Sequence, residues 1–167
     1  MAEDYMPVDE NFTLEDYENL NPVATIEWHG KKIHYCVPTR HVFWRFDTLK
    51  TKERDTIDWI AGFAEDAIFA DIGANVGALS LYAALMPETR VLAFEPAAAT
   101  YAVLVKNIKI NAMGERVFAY PLALSDETKC GSLNMANTEA GSFLHAFEDD
   151  TNVHDEIIPV TFSQASV

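Results

Sequence analysis

The segment that most restricts what this chain can fold into is Asp71-Ile72-Gly73-Ala74-Asn75-Val76-Gly77. It follows a short, wholly apolar run, residues 67–70, which reads as a strand buried on both faces. A helical stretch over residues 78–86 comes next and is stopped by Pro87. Gly73 lets the backbone turn through conformations that a side chain forbids. Together with Gly77 it also leaves room for a ligand against the main chain. The helix beyond the bend offers N–H groups and a partial positive charge to a carboxylate or phosphate.

The same order of elements then repeats. Residues 90–94 form a second apolar strand ending at Glu95-Pro96, and a helix over residues 98–112 follows. Tyr101, Leu104, Val105, Ile108 and Ala112 share one face of it, and Gly114 can stop it. Residues 117–124 predict a third strand, ending at Ser125-Asp126. Alternation of strands and helices predicts an α/β fold, a Rossmann-like parallel sheet with crossover helices. Asp71, Glu95 and Ser125 would then stand at the carboxyl ends of neighbouring strands, the edge at which such sheets bind ligands. A carboxylate at Glu95 can accept hydrogen bonds from both hydroxyls of a ribose. Dinucleotide sites need G-x-G-x-x-G, whereas Gly73 and Gly77 read G-x-x-x-G, so NAD or FAD is the weaker fit.

An acidic arm, residues 1–22, precedes this unit, and Asn21-Pro22 breaks the chain. Residues 23–37 predict a hairpin turning at His29-Gly30-Lys31, ended by Pro38. Residues 39–50 read as a connector with aromatic anchors, and Thr51 as the cap of a helix over 52–64 with Ile57, Ile60 and Phe63 or Ala64 inward. One domain is thus expected over 23–167. The hairpin and helix fill 23–66, the ligand-binding βαβαβ unit 67–126, and further strands 127–167. The last part holds a hairpin around Gly131–Leu144, an acidic cluster and a strand over Ile157–Phe162.

Composition narrows the function classes. The 167 residues suit one domain with an appendage. A net charge of −14 repels phosphate backbones and argues against nucleic-acid binding. Lys31–Arg54 is locally basic: it is either solvated surface or a patch that receives an anionic substrate or packs on the acidic tail. Cys36 and Cys130, the two cysteines, suggest neither a disulfide framework nor a metal site, and Cys36 fits a buried thiol. A reducing cytoplasm is the simplest compartment. No apolar run is long enough to span a membrane, and residues 1–20 lack the pattern of a secretory signal.

Four motifs in order carry a resemblance: Asp71-Ile-Gly-Ala-Asn-Val-Gly, Phe94-Glu95-Pro96, Asn107-x-x-x-Asn111 and Ala123-Leu124-Ser125-Asp126. They are similar to the FkbM-type family of S-adenosylmethionine-dependent, class I methyltransferases. Trp44-Arg45, Thr51-Lys52-Glu53 and Trp59-Ile60 resemble one branch of it, which usually has Lys-Glu-Pro where this chain has Lys52-Glu53-Arg54. The resemblance implies S-adenosyl-L-methionine as cofactor. Asp71, Gly73, Ala74, Asn75 and Gly77 would line its methionine end, and Glu95 would hold its ribose. Phe94 and Pro96 would border the adenosine, while Ala123, Ser125 and Asp126 would approach the adenine. The implied reaction is O-methylation of a small hydroxylated acceptor, such as a sugar, a glycolipid or another secondary metabolite. The alternative is a catalytically incomplete module that binds the cofactor or a partner protein. His41, His145 and Asp126 are candidates for a base, and none is assigned. Trp44, Phe43 and Phe46 are core anchors or a sugar-stacking surface, and Asn107 and Asn111 serve packing or capping. Family members continue into a fourth core strand with an Ile-Asp-x-x-Gly-type motif, which is absent here. A domain cut before that strand is therefore expected, with the apolar edge of the first strand left open.

Overall fold

In a computed structural model, the structure describes residues 13, 16, 20, 22–124, 132–134, 140–141 and 146–148. Most of the acidic arm, Cys130 and the 157–162 segment lie outside these residues, as do the side chains of the second acidic cluster.

The predicted hairpin is present. β1 (Val23–Trp28) pairs antiparallel with β2 (Lys31–Cys36), Trp28 opposite Lys31. The turn is therefore two residues, His29-Gly30, with φ of 47° and 76°. Positive φ at both positions matches the twist of the flanking strands. Ile33, Tyr35 and Cys36 are buried beneath it.

The connector expected over 39–50 is instead a helix, α1 (Arg40–Lys52). Thr39 caps it, its hydroxyl accepting the Val42 N–H at 3.2 Å. Val42, Phe46 and Leu49 recur at helical spacing and are buried, and Phe46 stacks on Tyr35 at 3.9 Å between centroids. Thr51 is not a cap: it lies in the last turn of α1, where its hydroxyl donates to the Thr48 carbonyl at 2.9 Å. The second helix, α2 (Arg54–Ala61), starts after Glu53 and buries Ile57 and Ile60. It ends at Gly62, short of the expected residue 64.

Three parallel strands follow in the order β3 (Ile68–Ile72), β4 (Arg90–Phe94), β5 (Val117–Tyr120). They are joined by α3 (Ala78–Ala83) and α4 (Ala98–Ile110). Both crossovers step the same way along the sheet, so right-handed connections put both helices on one face. Phe69, Asp71, Val91, Ala93 and Val117 point to that face and are buried. The other face corrects an expectation: β3 is covered on one side only. Ile68 and Ile72 remain 70% and 65% exposed, and Phe118 and Tyr120 of β5, across β4 on the same face, are exposed too. The third strand ends at Tyr120 rather than 124, so Ala123 lies in irregular chain beyond it. β6 (Ser132–Asn134) and β7 (Ala146–Glu148) pair antiparallel, which carries the C-terminal hairpin past its expected end at Leu144. The fold is Rossmann-like α/β with an N-terminal antiparallel hairpin. No helix among the described residues is long and apolar enough to cross a membrane.

Two side chains, one on α4 and one at its C-cap, fasten the hairpin to this layer. Asn107 Oδ1 accepts the Cys36 N–H at 2.7 Å, while its Nδ2 donates to the Val76 carbonyl at 2.8 Å. One turn on, Asn111 Oδ1 accepts the His34 N–H at 2.8 Å and Nδ2 donates to the His34 carbonyl. Four helical residues rise ~6 Å and two strand residues ~6.8 Å. The i, i+4 asparagines therefore match the repeat of donors along the outer edge of β2. Their role is structural.

Candidate functional site

The bend between β3 and α3 is held by the tip of β4. The Phe94 carbonyl accepts the N–H groups of Gly73 and Ala74, each at 2.9 Å. Glu95 Oε2 accepts the Asn75 N–H at 2.9 Å, and Oε1 accepts the Ala97 N–H at 2.8 Å. Asn75 Oδ1 accepts the Val76 N–H at 3.0 Å. Gly73, Asn75 and Gly77 take φ of 77°, 51° and 84°. This is the left-handed region that glycine enters without cost and asparagine tolerates. The two glycines are needed for different reasons. A Cβ at Gly77 would lie 2.5 Å from Leu104 Cδ1, so its absence lets α3 and α4 meet. A Cβ at Gly73 would meet nothing within 4 Å, because Gly73 faces an opening.

That opening is a cavity of about 330 Å³, within the usual range of small-molecule sites. Asp71, Gly73, Ala74, Asn75 and Val76 form one side of it, with Ala78 and Leu79 of α3. The opposite wall is the junction of α1 and α2: Trp44, Arg45, Thr48, Leu49, Lys52 and Glu53. Reading 39–50 as a connector hid this wall. Trp44, Thr48 and Lys52 stand at i, i+4 and i+8, a helical face, and Thr39 behind Pro38 is a start signal.

Asp71 and Glu95 converge as the strand ends require. Asp71 is buried and accepts the Ser80 hydroxyl from α3. Burial pushes its carboxyl above the ordinary 3.8, against the pull of the Ser80 hydrogen bonds. Glu95 is likewise raised from 4.5 by burial, opposed by the Ala97 and Asn75 N–H groups and by the Arg45 charge. Its two oxygens are bonded to backbone N–H groups, and it stands behind the bend rather than in the cavity wall. Each oxygen has a second lone pair for a further donor.

Arg45 is half-buried, and its Nε donates to the Gly141 carbonyl at 2.7 Å. Burial lowers its pKa, against the charges of Glu95 and Glu53. Phe94 stacks on Tyr120 at 5.2 Å, and Pro96 is half-buried after the Glu95 tip. Ala123 is half-buried, while Ser125 and Asp126, the third strand end, lie outside the described residues. His145 does too; His41 is exposed on α1 and is not part of the cavity wall. Of the three aromatics, Phe46 is a core anchor, Trp44 lines the cavity and Phe43 is exposed. No cluster of potential metal ligands occurs among the described residues.

No family model matches the chain. It is 31% identical over 94 residues to Methyltransferase 1 of Beauveria bassiana (strain ARSEF 2860), covering 56% of this chain and 37% of that protein. It is 30% identical over 100 residues to Methyltransferase sdnD of Sordaria araneosa, covering 59% and 39%. Among solved structures, P. horikoshii TYW2 in complex with MeSAdo aligns at a TM-score of 0.40 with 25% identity, over 60% of this chain and 36% of that one. The chain thus spans under two-fifths of the length of the curated relatives it matches, and both of those are methyltransferases by name.

Proposed function

We propose that this chain carries the cofactor-binding part of a class I, S-adenosylmethionine-dependent methyltransferase, with a hydroxyl on a sugar, glycolipid or other small secondary metabolite as acceptor. The observation that carries the proposal is the bend at 73–77, tied to the β4 tip by Phe94 and Glu95 and open at Gly73 to a cavity. When bound, S-adenosylmethionine would supply an electrophilic methyl group on a sulfonium; the O–CH3 bond would form as the S–CH3 bond breaks, releasing the thioether S-adenosylhomocysteine and the hydroxyl proton to solvent.

The chain's share of this chemistry is placement. Gly73 and Ala74 present a bare backbone to the amino-acid end, and Asp71 adds a carboxylate to that side of the cavity. The resemblance gives the ribose hydroxyls to Glu95, buried on the neighbouring strand tip, whose remaining lone pairs would accept them. The resemblance implies that Phe94 and Pro96 would border the adenosine and that Ala123 would approach the adenine. Holding the acceptor oxygen, the methyl carbon and the sulfur in line is catalysis by positioning. No base is assigned.

A second function, cofactor binding without turnover, is favoured by one observation. β3 carries no strand on its far side among the described residues, so the crevice is walled on one side only by the sheet. Thermal shift with S-adenosylhomocysteine and with NADH, followed by transfer of a radiolabelled methyl group to small hydroxylated acceptors, separates the options. Stabilisation by S-adenosylhomocysteine with transfer supports the enzyme, and stabilisation without transfer supports the binding module. Stabilisation by NADH alone overturns both.

A further inference from the structure

The wall of the cavity that faces the bend has its own charge pattern. Lys52 closes α1, and its ammonium stands 3.7 Å from the centroid of the Trp44 ring. A cation over an indole face is held in place without being neutralised. Among the described residues no carboxylate pairs with it. Glu53, the next residue, lies between the helices, as the C-cap of α1 and the N-cap of α2. A side chain at such a position commonly caps its own helix, but Glu53 makes no cap hydrogen bond. The Thr56 hydroxyl donates to Glu53 Oε2 at 3.4 Å and orients it. Lys52 and Glu53 thus add a cation and an anion on adjacent residues to a wall that also carries Arg45, across the cavity from bare backbone at Gly73.

A pair of opposite charges on adjacent residues complements a ligand that itself bears both charges a short distance apart. An α-amino acid is such a ligand. We propose that the α1–α2 junction recognises the zwitterionic amino-acid end of the cofactor, Lys52 pairing with its carboxylate and Glu53 with its ammonium. The inference rests on the S-adenosylmethionine function proposed above and adds a second, helical wall to the glycine bend. It gives Glu53 a role even though Arg54 stands where the similar sequences have proline. The helix starts at residue 54 regardless, and Glu53 keeps its place at the junction. Arg45 lines the same wall, its Nε donating to the Gly141 carbonyl and its charge interacting with Glu95 and Glu53.

Two ligands that differ only at this end provide the test. S-adenosylhomocysteine has the amino acid; 5′-methylthioadenosine has the same adenosine and sulfur without it. Their dissociation constants are measured by titration and competition on the wild-type chain, Lys52→Ala and Glu53→Gln. Both positions are exposed, and circular dichroism verifies the fold of each variant. Each substitution is expected to weaken S-adenosylhomocysteine roughly tenfold, the range of a charge-assisted contact. Binding of 5′-methylthioadenosine should stay within about twofold. Equal weakening of both ligands, or no weakening of S-adenosylhomocysteine, overturns this inference and leaves the cofactor site standing. Failure of the folded wild-type chain to bind either ligand overturns the cofactor site itself, and this inference with it.

Discussion

At the scale of single residues, Gly77 and Asp71 carry the sharpest consequences. Gly77 combines a φ of 84° with a Leu104 side chain that is fully buried and has nowhere to retreat. Gly77→Ala is expected to cost roughly 1–3 kcal/mol of stability, read from the urea midpoint. Asp71 gives a pH signature. Burial raises its pKa in the folded chain, so the native state keeps this proton to higher pH than the unfolded chain does. Its contribution to stability is present below the ordinary 3.8 and is lost as pH rises through the raised value. Asp71→Asn keeps an oxygen for the Ser80 hydroxyl and has no such proton to lose. The stability of the variant relative to wild type should therefore rise as pH is raised from the ordinary 3.8 through the raised value in urea titrations. A flat difference over that range would mean that Asp71 is not held in a desolvated site.

At the scale of elements, the hairpin, the glycine bend and α4 are fastened together by side-chain amides. Asn107→Leu leaves the Cys36 N–H and the Val76 carbonyl buried without partners, a loss of about 2–5 kcal/mol. Because Val76 belongs to the bend, ligand affinity should fall with stability, and hydrogen exchange at Cys36 should quicken. The alternation of short apolar runs and helices made the βαβαβ unit legible in the sequence, since its period and its turn residues agree. The hairpin was legible for the same reason. α1 was not: His41, Phe43, Trp44 and Phe46 crowd its first turns with residues of weak helix preference. Only packing on Tyr35 settles which of its faces is buried. The candidate site was accordingly legible on its glycine side, while the wall from Trp44 to Glu53 emerged from tertiary structure. Glu95 was placed correctly at a strand tip, but that its oxygens bind the Asn75 and Ala97 N–H groups is a matter of distances that no spacing encodes.

At the scale of the whole molecule, the sheet has two unlike faces. Helices and hairpin bury one, and Ile68, Ile72, Phe118 and Tyr120 leave the other apolar and exposed. Exposed positions tolerate polar substitution, so Ile68→Thr should change stability by no more than about 0.5 kcal/mol. A loss of several times that size would show this face to be covered in solution. The open face does not touch the cavity, which lies at the strand tips between the bend and the α1–α2 junction. Folding and ligand binding therefore make largely separate demands on the chain, and Gly73 tests the second once the backbone strain of a side chain at its φ of 77° has been checked by circular dichroism. A side chain at Gly73 projects into the opening without striking the core. Isothermal titration of S-adenosylhomocysteine into the wild-type chain and into folded Gly73→Arg is the most direct test. Saturable heat from the wild type and none from the variant is the expected result. Equal binding by the two, or no binding by the folded wild type, would contradict an adenosyl-cofactor site at this bend.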